Sequence, residues 1–282
     1  MDIVSINNNT VNINSSVNYV SIYGGYSVLS NAMTSSGIVP KDKILSSPIS
    51  MSGNTVNVNA QCEVGVYGAY LSLDPNDSNP ITVTCPINMD NNTVNINSSA
   101  GIYELWGAYV GLRNDYGPNI NIPIISMSGN TINISSVVYA YGSDINVYAA
   151  YAQVSEYKPG SSNISTVSAA NNTIIISKSD LSLPNANLYG AYVNVYGSVG
   201  MYDVHDNALY VNNAKNVSVN SIYGFDAYRF DLPNNVNNND TVLTINEQYD
   251  PVVVDAQKIS INNYDHQTST LNVFYCFAYS WL

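Results

Sequence analysis

The chain has 282 residues, enough for one large or two ordinary domains, and 45% of them are hydrophobic, too many for a disordered polar tract. Only 10% are charged and the net charge is −12, so eight basic residues cannot neutralise a phosphate track and a nucleic-acid partner is excluded. No run of about 18 apolar residues exists, so no helix is expected to span a bilayer.

Uncharged groups carry the polarity. There are 43 Asn, 35 Ser and 13 Thr, and 24 Tyr stand against four Phe and four Glu. That balance reads as a surface or extracellular protein. The N-terminal stretch "MDIVSINNNTVNIN" has neither the basic nor the continuous apolar region of a signal peptide.

The first predicted element is a phrase, "VSINNNTVNIN" at 4–14, which returns as "ISMSGNTVNVN" at 49–59, "INMDNNTVNIN" at 87–97, "ISMSGNTINIS" at 125–135 and "VSAANNTIIIS" at 167–177. Each copy is an apolar–polar–apolar triplet, a Gly or Asn turn, and an alternating segment. A sixth copy is read in "LYVNNAKNVSVN" at 209–220, and a looser seventh in "ISINN" at 259–263 with "STLNVF" at 269–274.

A second phrase follows each first one: "IYGGYSVL" at 22–29, "VYGAYLSL" at 66–73, "LWGAYVGL" at 105–112, "VYAAYAQV" at 147–154, "LYGAYVNV" at 188–195, then "IYGFDAYRF" at 222–230 and "CFAYSWL" at 276–282. Its anchor tyrosines, Tyr26, Tyr70, Tyr109, Tyr151, Tyr192, Tyr228 and Tyr279, recur with a mean spacing near 42 residues. Both phrases have period two. Val56 and Val58 point one way and Thr55, Asn57 and Asn59 the other; Tyr67, Ala69, Leu71 and Leu73 are expected on one face, with Gly68, Tyr70 and Ser72 opposite. No apolar stripe of helical period with caps interrupts the pattern.

The expected fold is therefore all-β: a single repeat domain over 1–282, built as a parallel β-helix of about seven repeats near 3–46, 47–84, 85–122, 123–164, 165–206, 207–255 and 256–282. Stacked rungs explain why Asn54, Asn92, Asn130 and Asn172 recur at one turn position, since amides can hydrogen-bond along such a column. One repeat cannot bury its apolar face alone, so neighbours supply the core. A β-sandwich or a β-propeller is the alternative; a propeller usually has four strands per blade and signature words that are absent here.

"NNTVNIN" followed by "VYGAY" or "IYGGYS" resembles the repeat region of bacterial autotransporter-type passenger domains and related large surface adhesins. The likeness covers most of the chain, although no signal peptide or long C-terminal barrel region accompanies it. The resemblance implies a secreted β-helical stalk or adhesive surface without catalytic activity.

Motifs for chemistry are few, and no catalytic, cofactor-binding or metal-binding residue is assigned. His205 between Asp203 and Asp206, and His266 beside Asp265, read as loop histidines next to solvated carboxylates. "DPNDSN" places Asp74, Asn76 and Ser78 like the start of a calcium loop, but the following Gly and closing Glu are missing. Cys62, Cys85 and Cys276 lack metal-site spacing and read as three buried free thiols, with a Cys62–Cys85 disulfide as the alternative. Candidate glycosylation positions are Asn8, Asn14, Asn76, Asn91, Asn97, Asn133, Asn163, Asn171, Asn216 and Asn239, a number that the Asn-rich composition largely explains.

The remaining candidate site is a surface aromatic stripe of Tyr26, Tyr70, Tyr109, Tyr151 and Tyr192, suited to sugars, a host surface or another subunit, or serving only to stabilise the stack. The function expected is a structural or adhesive extracellular protein, not an enzyme. A viral tail or fibre component, or a β-helical polysaccharide-active enzyme, is the alternative. The first repeat is entered at Val4 and the last left at Trp281 and Leu282 with no polar capping repeat, so another copy is expected to hold the ends in a head-to-tail homopolymer, unless the chain is a piece of a longer passenger.

Overall fold

The computed structural model describes residues 4–30, 43–74, 81–114, 120–136, 138–140, 145–156, 162–177, 186–195, 198–203, 207–212, 218–229, 236–237, 242–246, 251–255, 258–262 and 270–280, with backbone only beyond Tyr210. Every regular element among the described residues is a β-strand.

Each repeat gives one strand to each of three sheets. The first sheet stacks Val4–Ser5, Ile49–Ser50, Ile87–Asn88, Ile120–Ser126, Ser162–Ser168, Ser198–Asp203 and Val236–Asn237 in chain order. The second stacks Thr10–Ile13, Thr55–Val58, Thr93–Ile96, Thr131–Ile134, Thr173–Ile176, Ala208–Asn212 and Lys258–Asn262. The third carries the long strands Val17–Ser30, Cys62–Asp74, Ala100–Asn114, Ile145–Glu156, Ala186–Val195, Ser218–Arg229 and Thr270–Ser280. Within these stacks every pairing is parallel, an all-β arrangement consistent with a β-helix.

The second sheet shows why. Thr55–Val58 pairs with Thr93–Ile96, and that strand with Thr131–Ile134, so like residues face like. Val56, Val58, Val94, Ile96, Ile132 and Ile134 are fully buried. β-branched side chains on a pleated, half-buried surface suit that position. The alternate residues Asn57, Asn95 and Asn133 are half-exposed rather than fully exposed, because each amide leans on the next: Asn57 Nδ2 donates to Asn12 Oδ1 at 2.8 Å, and Asn95 Nδ2 to Asn57 Oδ1 at 2.8 Å.

The turn before this sheet has a backbone reason for its Gly/Asn choice. Asn8, Gly53, Asn91, Gly129 and Asn171 occupy one position and all have φ between 56 and 71°. Only Gly and, among side-chain residues, chiefly Asn or Asp take the left-handed region cheaply.

The following residue turns inward and makes the molecule's main polar feature. Asn54, Asn92, Asn130 and Asn172 are wholly buried, and Asn207 nearly so. The backbone N–H and Nδ2 of each donate to Oδ1 of the next. Asn54 reaches Asn92 at 3.0 and 3.0 Å, Asn92 reaches Asn130 at 3.0 and 3.1 Å, and Asn172 reaches Asn207 at 2.9 and 2.9 Å. Asn9 begins the series by donating to Asn54 Oδ1. A Cβ added to Gly24 would meet Asn54 Cβ at 2.9 Å and Val56 Cγ2 at 3.3 Å, and one added to Gly25 would meet Asn54 Nδ2 at 3.0 Å and Ile6 Cγ2 at 3.4 Å. The ladder thus lies between two apolar clusters, one holding Val56, Val64 and Val66, the other Met51, Ala69 and Leu71.

One long strand serves both clusters, and this corrects the even alternation expected over 66–73. Val64 and Val66 face the first cluster, whereas Ala69, Leu71 and Leu73 face the second. The inward phase therefore shifts from even to odd residues across Gly68. A Cβ there would strike Gly107 O at 2.4 Å and Asn92 Cβ at 2.9 Å, so Gly68 points into the stack instead of sharing an outer face with Tyr70. Tyr67, expected to share a face with Ala69, Leu71 and Leu73, belongs to neither apolar cluster and is buried beside Tyr70 instead.

The later phrases also shift. Ala208–Val211 pairs with Thr173–Ile176. "LYVNN" is therefore the alternating segment of its repeat, not its opening triplet, and its turn residue is Asn207. Likewise Lys258–Asn262 pairs with Ala208–Asn212, so "ISINN" belongs to the second sheet. Tyr228 pairs with Asn194 and Tyr279 with Tyr228, two residues beyond the tyrosine column. The second sheet continues past Lys258–Asn262 into Val242–Asn246 and Pro251–Asp255, the last two antiparallel. On this sheet an antiparallel pair covers the final rung, where no cap is expected from the sequence. Cys62 and Cys85 are buried free thiols, and burial pushes the Cys85 thiol up; the side chain of Cys276 lies outside the described residues.

Candidate functional site

The phase shift at the Gly68 corner has a consequence on the outer surface. Because the strand turns there, residues three apart both point outward, and two aromatic columns stand side by side. One contains Tyr26, Tyr70, Tyr109, Tyr151 and Tyr192; the other Tyr23, Tyr67, Trp106, Tyr148 and Tyr189. In the first column successive centroids lie 5.5, 4.6, 5.2 and 5.0 Å apart with planes within 15° of parallel. In the second, Tyr23 stacks on Tyr67 at 4.6 Å and Tyr148 on Tyr189 at 4.5 Å, while Trp106 meets Tyr67 edge-on. Trp106 lies flat on Tyr109 at 4.4 Å and joins the columns.

These contacts decide what the stripe can do. Ring faces in the first column are occupied by the rings above and below, and several hydroxyls are turned back onto the protein, that of Tyr67 to Glu104 and that of Tyr151 to Gln153. A platform for sugar stacking needs an open ring face, which the interior tyrosines lack. Tyr26, at the first described rung, is 50% exposed, against 4% for Tyr67. The Tyr67 hydroxyl donates to the Glu104 carboxylate, and burial followed by that bond holds its pKa far above the ordinary tyrosine range. Burial pushes Tyr109 up to about 12 and raises Tyr23, Tyr70 and Tyr151 as well. Glu104 reaches the cluster through a bulge, since Ile102 pairs with Val64 but Glu104 with Gly65, leaving Tyr103 unpaired. Tyr103 crosses Gly65 and donates to Val20 O at 3.0 Å. The Trp106 indole N–H is buried without an acceptor among the described residues.

Beside the first column runs a shallow notch of about 170 Å³, bordered by Ser72, Tyr109, Gly111, Arg113, Gln153 and Ser155. At Gly111 the Tyr109 hydroxyl and ring lie over the strand, where a Cβ would meet them at 2.6 and 2.8 Å. The Tyr151 hydroxyl donates to Gln153 Oε1 at 3.2 Å on the flank of the notch.

Among the sequence candidates, the structure brings Tyr26, Tyr70, Tyr109, Tyr151 and Tyr192 together. The companion column was not read from the sequence, although the pattern "YGxY" held the signal: Gly between two aromatics marks the corner. Of the sequon asparagines, Asn8, Asn14, Asn91, Asn97, Asn163 and Asn171 are exposed and Asn133 is half-buried. Asn97 and Asn133 have their Nδ2 engaged, donating to Asn59 at 2.9 Å and Asn95 at 2.7 Å. Asn76, Asn216, Asn239, His205, Asp206, Asp265, His266 and Ser78 lie outside the described residues. No group of three or more His, Cys, Asp or Glu able to hold a metal ion occurs among the described residues. Among the described residues no helix is long and apolar enough to cross a membrane. Compared with family models, curated proteins and solved structures, the chain matches none.

Proposed function

We propose that this chain is a non-catalytic structural and adhesive segment of an extracellular or cell-surface stalk. In this reading it is a parallel β-helix of about seven repeats of roughly 42 residues, akin in its repeat words to autotransporter-type passengers. The observation that carries the reading is where the repeated chemistry goes. The turn amides, the second-sheet amides and the aromatic ring faces are all engaged with the same groups one rung away. Side chains used this way extend and stiffen a stack, and the stack rather than any single repeat is what the sequence maintains.

The narrower form of the proposal is end-to-end growth, in which the long-strand sheet of one copy continues into the next and generates a filament. The antiparallel pair beyond Lys258–Asn262 leaves that contact to the first and third sheets. Light scattering and electron microscopy on the purified protein test it. Particles growing with concentration into rods support it; a monodisperse 30.5 kDa species at all concentrations overturns it.

A further inference from the structure

The outer face of the second sheet is a lattice. Its first row is Thr10, Thr55, Thr93, Thr131 and Thr173. The second is Asn12, Asn57, Asn95 and Asn133, continued by Ile175 and Tyr210. The third is Asn14, Asn59, Asn97, Ser135 and Ser177, tied by Asn59 Nδ2 to Asn14 Oδ1 and Asn97 Nδ2 to Asn59 Oδ1, each at 2.9 Å. From Thr10 to Tyr210 no charged residue occurs in the strands of this face, in a chain of net charge −12.

We propose that this face docks a second copy of the same chain, face against face. Two observations select that occupant. Acidic molecules repel, so two copies approach most easily on surfaces without charge, and the strands of this face carry none as far as Tyr210. The other is commensurability. Rungs repeat at about 4.8 Å, and a partner whose repeat differs by about 0.4 Å drifts by about 1.6 Å over four steps, beyond the tolerance of a hydrogen bond. A second copy has the same repeat and stays in register along the whole face. Asn57, Asn95, Asn133, Asn59 and Asn97 each use one N–H along their column, which fixes the amide's orientation and leaves a second N–H for a partner amide or hydroxyl. Ile175 and Tyr210 add apolar area at one end of the middle row.

The face is small. Five residues across and five rungs along give about 13 by 19 Å, roughly 250 Å² per copy, where a stable pair buries about 800 Å² per partner. Two free molecules therefore pair weakly, and binding becomes strong where many copies are held together, as on a stalk or fibre. This inference rests on the stalk reading for its setting, not for its chemistry.

The test uses the whole chain coupled densely to beads, in three forms: native, Asn57→Lys/Asn95→Lys/Asn133→Lys, and the matching triple Glu variant. Ile175 in the same row shows that the position accepts a non-amide side chain, and a thermal melt checks folding. If a triple variant melts early, Lys and Glu at Asn59 and Asn97 replace it. Native beads should clump, Lys-only and Glu-only beads should clump at least tenfold less, and a Lys–Glu mixture should clump again and disperse in high salt. Native beads that stay dispersed, charged beads that clump like native ones, a mixture that does not clump, or native clumping that requires added polysaccharide would each overturn it. Clumping lost while filaments persist removes this face alone; filaments absent while clumping persists removes only the stalk reading.

Discussion

Replacing Asn92 by Ala tests the buried ladder at its centre. The native Oδ1 accepts two bonds from Asn54, backbone N–H and Nδ2, both at 3.0 Å, and the native Nδ2 donates to Asn130 Oδ1 at 3.1 Å. After truncation Asn54 retains its bond to Ile6 O, but its backbone N–H and one amide proton are left without acceptors in a fully buried site. An orphaned buried donor costs about 1–3 kcal/mol, so two give about 2–6 kcal/mol, with a small cavity in addition. A whole domain is stable by about 5–15 kcal/mol, so the loss is a large part of the total. The control is Asn95→Ala, which breaks amide–amide bonds of 2.8 and 2.7 Å on the half-exposed outer row, where water substitutes and about 0.5 kcal/mol is expected. Equilibrium denaturation in urea, followed by circular dichroism, measures both. Equal losses in the two variants would refute the claim that the inner ladder holds the rungs together.

Other positions give sharper local outcomes. Gly129, at φ 71°, should accept Asn at a cost of about 1 kcal/mol, since Asn takes this backbone conformation at Asn8, Asn91 and Asn171 but here must turn the Asn91 amide aside, whereas Val should lose about 1–2 kcal/mol more; thermal melts rank the three. Trp106→Tyr should leave stability unchanged or raise it, since it removes a buried N–H without an acceptor and matches Tyr67 and Tyr148 in the column; a clear loss in the same melts would contradict this. Tyr109 titrates at about 12 in the folded chain against about 10 unfolded, so the stability tied to its neutral form is present below pH about 10 and falls as pH rises toward 12. Tyrosinate absorbance should accordingly rise in two stages, the second coinciding with unfolding, and a single transition near 10 would show that the columns are open to water.

The parts legible in the sequence are those with strict period two. "TVNV" and its relatives fix which valines and isoleucines face inward, because a one-residue slip would expose all of them. The Asn of the turn was also visible, since one residue type recurring beside a left-handed Gly or Asn has few explanations other than a stacked column. The corner was not legible. Alternation read through "VYGAYLSL" assumes a flat strand, and only the close approach of Gly68 to Gly107 and Asn92 shows that the chain bends and changes phase there. That alternation hides half of the aromatic site, because it groups Tyr67 with Ala69, Leu71 and Leu73 and separates it from Tyr70. The sixth repeat misled for another reason. "LYVNN" imitates the opening triplet, and the pairing of Leu209 with Ile174 is needed to place it.

The repeated residues serve the contact between rungs, along one axis. Diffraction from an aligned, dried specimen of the purified protein tests this most directly. Stacked rungs should give a strong reflection at about 4.8 Å along the long axis of the particles, weakened in the Asn92→Ala variant. A reflection of that spacing perpendicular to the long axis, or none at all from ordered specimens, would contradict it.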